Sequence, residues 1–213
     1  MIEAHDLSIR IGRRLVVESA SLACLAGELT ALTGPSGCGK TTLLHGLGLL
    51  LRPVDGRVAV DGEDATRWSE RRRRAFWRER AAFIQQDYGV IDDASLAFNV
   101  ALRTDLFGRP ARGPLPAVGE ALRRVDLRRP ESETAAHLSG GEKQRLAAAR
   151  ALYREADVVF ADEPTASLDQ GNRDRVTELL EELAEEGTAV IIATHDERLV
   201  RRCSRVHEMA RPM

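Results

Sequence analysis

The stretch Gly34-Pro35-Ser36-Gly37-Cys38-Gly39-Lys40-Thr41 restricts the possible folds more than any other part of the chain. An apolar run, Leu29 to Thr33, precedes it, and leucines recur at helical spacing from Thr41 to Leu51 after it. The pattern G-x-x-x-x-G-K-[ST] between a strand and a helix lets glycine backbone curl successive N–H groups around a polyphosphate, at the positive end of the helix. Gly34 through Thr42 thus form a candidate nucleotide site, with Lys40 reaching the terminal phosphates and Thr41 holding Mg²⁺.

The surrounding punctuation predicts an α/β chain. Gly12 and Gly27 break residues 2–32 into short apolar stretches, and Arg57–Val60 reads as a hairpin strand between Gly56 and Gly62. A charged helix is predicted over residues 69–80. From Asp87 to about Arg154 the pattern is mostly helical, with loop signals at Gly108-Arg109-Pro110 and Gly113-Pro114. Asp157–Ala161 and Thr188–Thr194 are continuous apolar runs of the kind buried on both faces of a parallel sheet, joined by a helix over Asn172–Glu186 in a right-handed crossover. At 213 residues with 43% hydrophobic residues, the chain suits one large domain with a proper core.

Composition removes several function classes. Basic and acidic residues number 31 and 33, a formal charge of -2, so no overall field recruits nucleic acid or anionic lipid. Cys24, Cys38 and Cys203 are an odd count without CxxC spacing, which argues against a disulfide scaffold or structural zinc and fits a reducing cytosol. The start of the chain lacks the basic and apolar regions of a secretory signal, and no window approaches the roughly 18 apolar residues of a membrane span. Arg71-Arg72-Arg73-Arg74 invites a nucleic-acid reading, but Phe76 and Trp77 can face a core while the arginines stay solvated. No nucleic-acid partner is expected.

Two further segments carry chemistry. Val158-Val-Phe-Ala-Asp162-Glu163 ends an apolar strand in two carboxylates, where ligands collect in such folds; Asp162 suits Mg²⁺ and Glu163 can accept the proton of an attacking water. Strand-ending acids also cap helices, so this motif gains its meaning from the phosphate loop. In Leu138-Ser139-Gly140-Gly141-Glu142-Lys143-Gln144-Arg145, the residues Ser139, Gly140 and Gly141 open a helix and offer a second anion site.

This last segment resembles the signature sequence of the ABC (ATP-binding cassette) family, and the resemblance runs from about Ile2 to Asp196. It implies a P-loop NTPase with a three-layer RecA-like core, a small N-terminal antiparallel β subdomain and a helical subdomain. The single domain 1–213 then divides into a nucleotide-binding core, 1–86 and 155–213, and a helical part, 87–154. It also implies ATP hydrolysis with Mg²⁺, and two ATP molecules sandwiched between two copies of the chain, each copy's Ser139, Gly140 and Gly141 closing over its partner's nucleotide. By the same resemblance Gln86 is the glutamine that touches Mg²⁺ and the catalytic water, with Gln85 as a rival. Ser167-Leu168-Asp169 matches the loop that crosses the dimer interface, and His195 the histidine that contacts the γ-phosphate. Catalytic roles fall on Glu163, His195 and Gln86, and metal-holding roles on Thr41, Gln86 and Asp162. Ile11 stands where many members carry an aromatic that stacks on adenine.

Gly46–Gly56 looks like cassettes of lipoprotein release, macrolide and peptide export, and Tyr88–Val100 resembles those of bacteriocin transporters. The resemblance therefore implies the motor of an exporter, on the cytoplasmic face of a membrane, with a separate membrane-spanning permease subunit as partner. A cell-division cassette is the alternative. Tyr88, Val90 and Ile91 are expected to be exposed anchors for that partner. Cys38, beside Lys40 and near a helix N-terminus, is expected to be a reactive thiol.

Overall fold

Strand β7 (Val158–Asp162) sends alternate side chains into two different cores. Val159 and Ala161 join one apolar cluster and Val158 and Phe160 the other. Strand β8 (Ala189–Ala193) does the same, Val190 and Ile192 on one side and Ile191 and Ala193 on the other. A strand covered on both faces can be apolar throughout, which is why these two runs are legible in the sequence. The structure, a computed structural model, describes residues 1–102, 116–166 and 168–210.

Around these strands lies a five-stranded parallel sheet in the order β6 (Ala81–Ile84), β7, β8, β3 (Leu29–Thr33) and β9 (Arg205–Glu208). An antiparallel sheet of β2 (Arg14–Cys24), β1 (Ile2–Ile11), β4 (Asp55–Val60) and β5 (Glu63–Asp64) covers one side together with helix α1 (Lys40–Leu47). Helices α3 (Leu96–Ala101), α4 (Pro116–Arg124), α5 (Gly140–Arg154) and α6 (Gln170–Glu185) contribute to the other core; α3, α4 and α5 pack on one another, and α5 also meets β6 and α6. The arrangement has the expected three layers, with the small antiparallel sheet contributed by the N-terminal part of the chain.

Several expectations shift in detail. Helix α1 stops at Leu47, not Leu51, because Gly48 caps it and Leu49 turns to φ 59°. Strands β6 and β9 are additional: β6 is four residues long and β9 has one aliphatic residue, Val206, among Arg205, His207 and Glu208 at the sheet's edge, so neither stands out as an apolar run. Helix α2 (Glu70–Glu79) forms as expected, capped by Ser69, and buries Phe76. Its arginines are not all solvated, however. Arg73 is 6% exposed, donates to the Leu49 carbonyl and to Glu70, and lies 5.4 Å over the Trp77 ring. The loop signals at 108–110 and 113–114 lie outside the described residues.

Candidate functional site

The parallel register gathers the singled-out residues at one edge of the sheet. Leu32 pairs with Ala193, Asp162 with Ala193, and Ile84 with Ala161, so the ends of β3, β7, β8 and β6 are level. From that edge emerge Gly34, Asp162 and Glu163, Thr194 and His195, and Gln86.

The phosphate loop is dictated by backbone. Gly34, Gly37 and Gly39 have φ of 141°, 75° and 102°, which side chains with a Cβ rarely adopt. Space is short as well: a Cβ on Gly34 would lie 2.4 Å from the Met209 carbonyl oxygen, and one on Gly39 2.8 Å from that of Val16. Gly39 occupies the N-cap of α1 without a side-chain cap, so the first-turn N–H groups have no side chain of the cap residue in front of them. Pro35, Ser36 and Gly37 are exposed and Thr42 is partly buried one turn into the helix. Lys40 folds back over the loop, its Nζ donating to the Gly34 carbonyl at 2.9 Å and to that of Pro35 at 3.4 Å. Cys38 departs from expectation. Its side chain is fully buried in the core beneath the loop, its Sγ against Gly34, so the thiol is shielded from solvent rather than presented to it.

Thr41 Oγ1 donates to Asp162 Oδ1 at 3.0 Å, which joins the loop to β7. Partial burial raises the Asp162 carboxyl above its ordinary range, against the lowering effect of the Thr41 hydroxyl. The next residue, Glu163, takes a left-handed backbone with φ 47°. Its N–H donates to the Ala193 carbonyl at 2.8 Å, which pins the turn to β8. One carboxylate oxygen, Oε1, lies 2.9 Å from His195 Nδ1; the other accepts from Thr194 Oγ1 at 3.2 Å and the His195 N–H at 3.3 Å. The Glu163 side chain is 15% exposed and the imidazole 74%, so a sheltered carboxylate is held against a histidine that opens to solvent. Thr194, which the sequence does not single out, is the fully buried group that orients that carboxylate. Gln86 is exposed two residues past β6, whereas its rival Gln85 is partly buried, its amide turned toward Gly89.

The expected second anion site, at the start of α5, is built differently. Ser139 caps α5 and forms a full capping box: its backbone N–H and hydroxyl both donate to Glu142 Oε2 at 2.8 Å, and the Glu142 N–H donates to Ser139 Oγ at 3.3 Å. Burial pushes the Glu142 carboxyl upward, but the bonds from Ser139 and Arg129 outweigh it and hold the group below its ordinary range. The Ser139 hydroxyl is thus already engaged as a donor to Glu142. Gly140 and Gly141 are helical. A Cβ on the first would meet the Tyr88 hydroxyl at 2.7 Å, and on the second the Asn172 amide carbon at 2.5 Å.

Asp169 caps α6, accepting from the Asn172 N–H at 2.9 Å, and Ser167 lies outside the described residues. Ile11 is 49% exposed at the end of β1 and offers only aliphatic surface there. Of the three expected anchors, Ile91 is 50% exposed, but Val90 packs against the core and Tyr88 is half-buried over Gly140. The segment around them is held from behind by Arg150, a buried guanidinium that donates to the Asn99 and Gly89 carbonyls at 3.0 Å and whose pKa burial lowers to about 10.

A family model described as ABC transporter matches residues 17–166. The lipoprotein-releasing system ATP-binding protein LolD 1 of Caulobacter vibrioides is 40% identical over 199 residues, covering 89% of this chain and 82% of its own length. The macrolide export ATP-binding/permease protein MacB of Rhodopseudomonas palustris is 36% identical across 92% of this chain, which spans 30% of that protein. Among solved structures, a dimeric bacterial ABC transporter cassette superposes with a TM-score of 0.84 at 27% identity, covering 98% of this chain and 94% of its own. A dimeric post-hydrolysis state bound to ADP and Pi gives 0.83 with the same coverage.

Proposed function

The chain belongs to the ABC transporter family, and from that premise we propose that it is the ATP-hydrolysing subunit driving a separate membrane permease, with two copies closing head to tail on two ATP molecules. The observation that carries this reading is the joined site at the sheet edge, where Thr41 bonds Asp162 beside the Glu163–His195 contact. The loop N–H groups of residues 34–42 and Lys40 bind the β- and γ-phosphates. Thr41 and Asp162 supply a hydroxyl and a carboxylate 3.0 Å apart, hard oxygen donors of the kind that, with substrate phosphates, hold Mg²⁺, and Gln86 adds its amide oxygen. When bound, the ion neutralises charge on the phosphate oxygens.

Glu163 then takes the proton of the attacking water. Its carboxylate is turned by Thr194 and His195, so no rotamer search precedes the proton transfer. His195, exposed beside it, faces the γ-phosphate, and Asp169 crosses to the second copy. Ser139, Gly140 and Gly141 grip the γ-phosphate bound by that copy through the N–H groups at the start of α5.

The division into a core, 1–86 and 155–213, and a helical part, 87–154, is supported by the mutual packing of α3, α4 and α5. No helix of the described residues is long and apolar enough to cross a membrane. A place at the cytoplasmic face, through a permease, follows from the relatives named for lipoprotein release and macrolide export, as does export as the direction. The test is Glu163→Gln, which keeps shape and hydrogen bonding but removes the base. We expect ATP binding within about twofold of wild type, turnover reduced about 10²–10⁴-fold, and an ATP-dependent dimer on size-exclusion chromatography that Lys40→Ala abolishes. Near-normal turnover would reduce Glu163 to a structural cap, and hydrolysis by a strictly monomeric chain would overturn the two-copy reading.

A further inference from the structure

Asn172 has no role in the site described so far, yet it touches three of its parts. It lies in the first turn of α6, and its backbone N–H and side-chain Nδ2 reach the two different oxygens of Asp169, at 2.9 and 2.6 Å. Both oxygens of that carboxylate are therefore oriented by one residue. On its other side, Asn172 Oδ1 accepts from Arg145 Nη1 on helix α5. Its amide also lies flat against Gly141, with all three amide atoms 2.5–2.8 Å from where a Cβ on that glycine would sit.

Few side chains can do all of this. A primary amide has an acceptor on one corner and a donor on the other, so it satisfies a guanidinium and a carboxylate at once. An aspartate would keep Arg145 but confront Asp169 with a like charge, and an alanine would release both. The contact also spans the two parts of the molecule, because α5 begins with the signature residues and α6 begins with Asp169. No side chain fits between Gly141 and the amide, so a movement of the Gly141 backbone toward Asn172 presses on it directly, while the Arg145 bond links the two helices in either direction.

We propose that Asn172 is a positioning residue that transmits the seating of the γ-phosphate at Ser139–Gly141 to the Asp169 carboxylate of the same chain, and so couples the two ATP sites of the dimer. The proposal rests on the two-copy reading above. When α5 is drawn toward the phosphate held by the second copy, the Gly141–Asn172 contact and the Arg145 bond carry Asp169 with it, into the interface it shares with the other site. The bonds from the Asn172 N–H and amide hold the Asp169 carboxyl below its ordinary range.

The experiment uses the full chain and the isosteric variant Asn172→Asp, with Asn172→Ala beside it. An aspartate near a helix N-terminus is favourable to the helix and retains the Arg145 partner, which offset the exposed like charge at Asp169, so Asn172→Asp should melt within a few degrees of wild type. ATP affinity of the monomer, measured with the hydrolysis step blocked by omitting Mg²⁺, should stay within twofold, because the phosphate loop is untouched. The proposal expects the Hill coefficient of hydrolysis to fall toward one, kcat to fall about tenfold at a near-constant KM, and, in the Glu163→Gln background, the ATP-dependent dimer to dissociate at an at least tenfold higher protein concentration. If Glu163→Gln alone forms no dimer, the two-copy reading fails. If it forms one and Asn172→Asp and Asn172→Ala leave dimer and Hill coefficient unchanged, that reading stands and the role given to Asn172 is wrong. A lower melting temperature with unchanged cooperativity would likewise make Asn172 a helix-capping accessory and overturn the proposal.

Discussion

Both proposed anion sites of this chain are glycine-rich helix starts, but their glycines answer to different causes. In the phosphate loop Gly34, Gly37 and Gly39 carry positive φ, and α1 begins without a side-chain cap. At α5 the backbone of Gly140 and Gly141 is helical and Ser139 closes a capping box; there the glycines are demanded by Tyr88 and Asn172, side chains from two other segments that press on the helix. The first loop is shaped by what its own backbone must do, and the second by what packs against it. A loop of the first kind can be rigid before ligand arrives, whereas one of the second kind passes its position to its neighbours.

The comparison can be broken most severely at Gly34. Gly34→Ala would combine a φ of 141° with a clash against the Met209 backbone, which no side-chain rotation relieves. We expect a loss of about 3 kcal/mol or more in denaturant unfolding, with ATP binding lost, and no second-site side-chain change that restores it. A fully folded Gly34→Ala protein that binds ATP would show the backbone argument to be wrong.

Gly140→Ala should behave otherwise, because the obstacle is one hydroxyl. The clash with Tyr88 outweighs the fraction of ~1 kcal/mol that alanine gains in a helix, and a net loss of about 1 kcal/mol is expected. In a Tyr88→Phe background the nearest remaining ring atom is 3.4 Å away, so the same substitution should become neutral or slightly stabilising by thermal melting. Failure of that rescue would mean that Gly140 has a backbone requirement after all.

An effect of similar size, but one that vanishes in acid, separates the two caps by pH. The folded Glu142 carboxyl titrates below its ordinary value, so its stabilising contribution is present above the unfolded pKa and is lost as pH falls through the folded one. Glu142→Gln should cost about 1 kcal/mol near pH 7, and its stability curve should converge on that of wild type as pH drops below the ordinary glutamate range. A constant offset down to strongly acid pH would place the effect in packing. No equivalent acid-sensitive cap exists at α1, where Gly39 stands.

Much of this was readable in the chain alone. Strands β7 and β8 announce themselves because burial on both faces leaves four consecutive positions without a charge before Asp162 in β7, and all five positions of β8. Strand β9 does not, since an edge strand with Arg205, His207 and Glu208 has the polarity of a loop. The burial of Arg73 within a run of four arginines is equally invisible: only the approach of the Leu49 carbonyl and Trp77 distinguishes it from Arg71 and Arg74. Cys38 was misjudged for the same reason, as its neighbours in sequence are exposed loop residues while its side chain points into the core.

What the sequence determined by itself was everything that depends on residue type at short spacing: the loop that can cradle phosphate, the paired acids ending a buried strand, and the capped helix start of the signature. Backbone conformation and hydrogen-bonding capacity are local properties, so a few adjacent residues suffice to declare them. Only the tertiary structure decided which of these meet. Parallel pairing of β7 with β8 sets Glu163 against Thr194 and His195, 31 and 32 residues away, and the packing of α5 on α6 sets Asn172 against Gly141 across 31 residues and against Arg145 across 27. Such distances are closed by burying the two apolar faces of one sheet, a property of the whole core that no single segment carries.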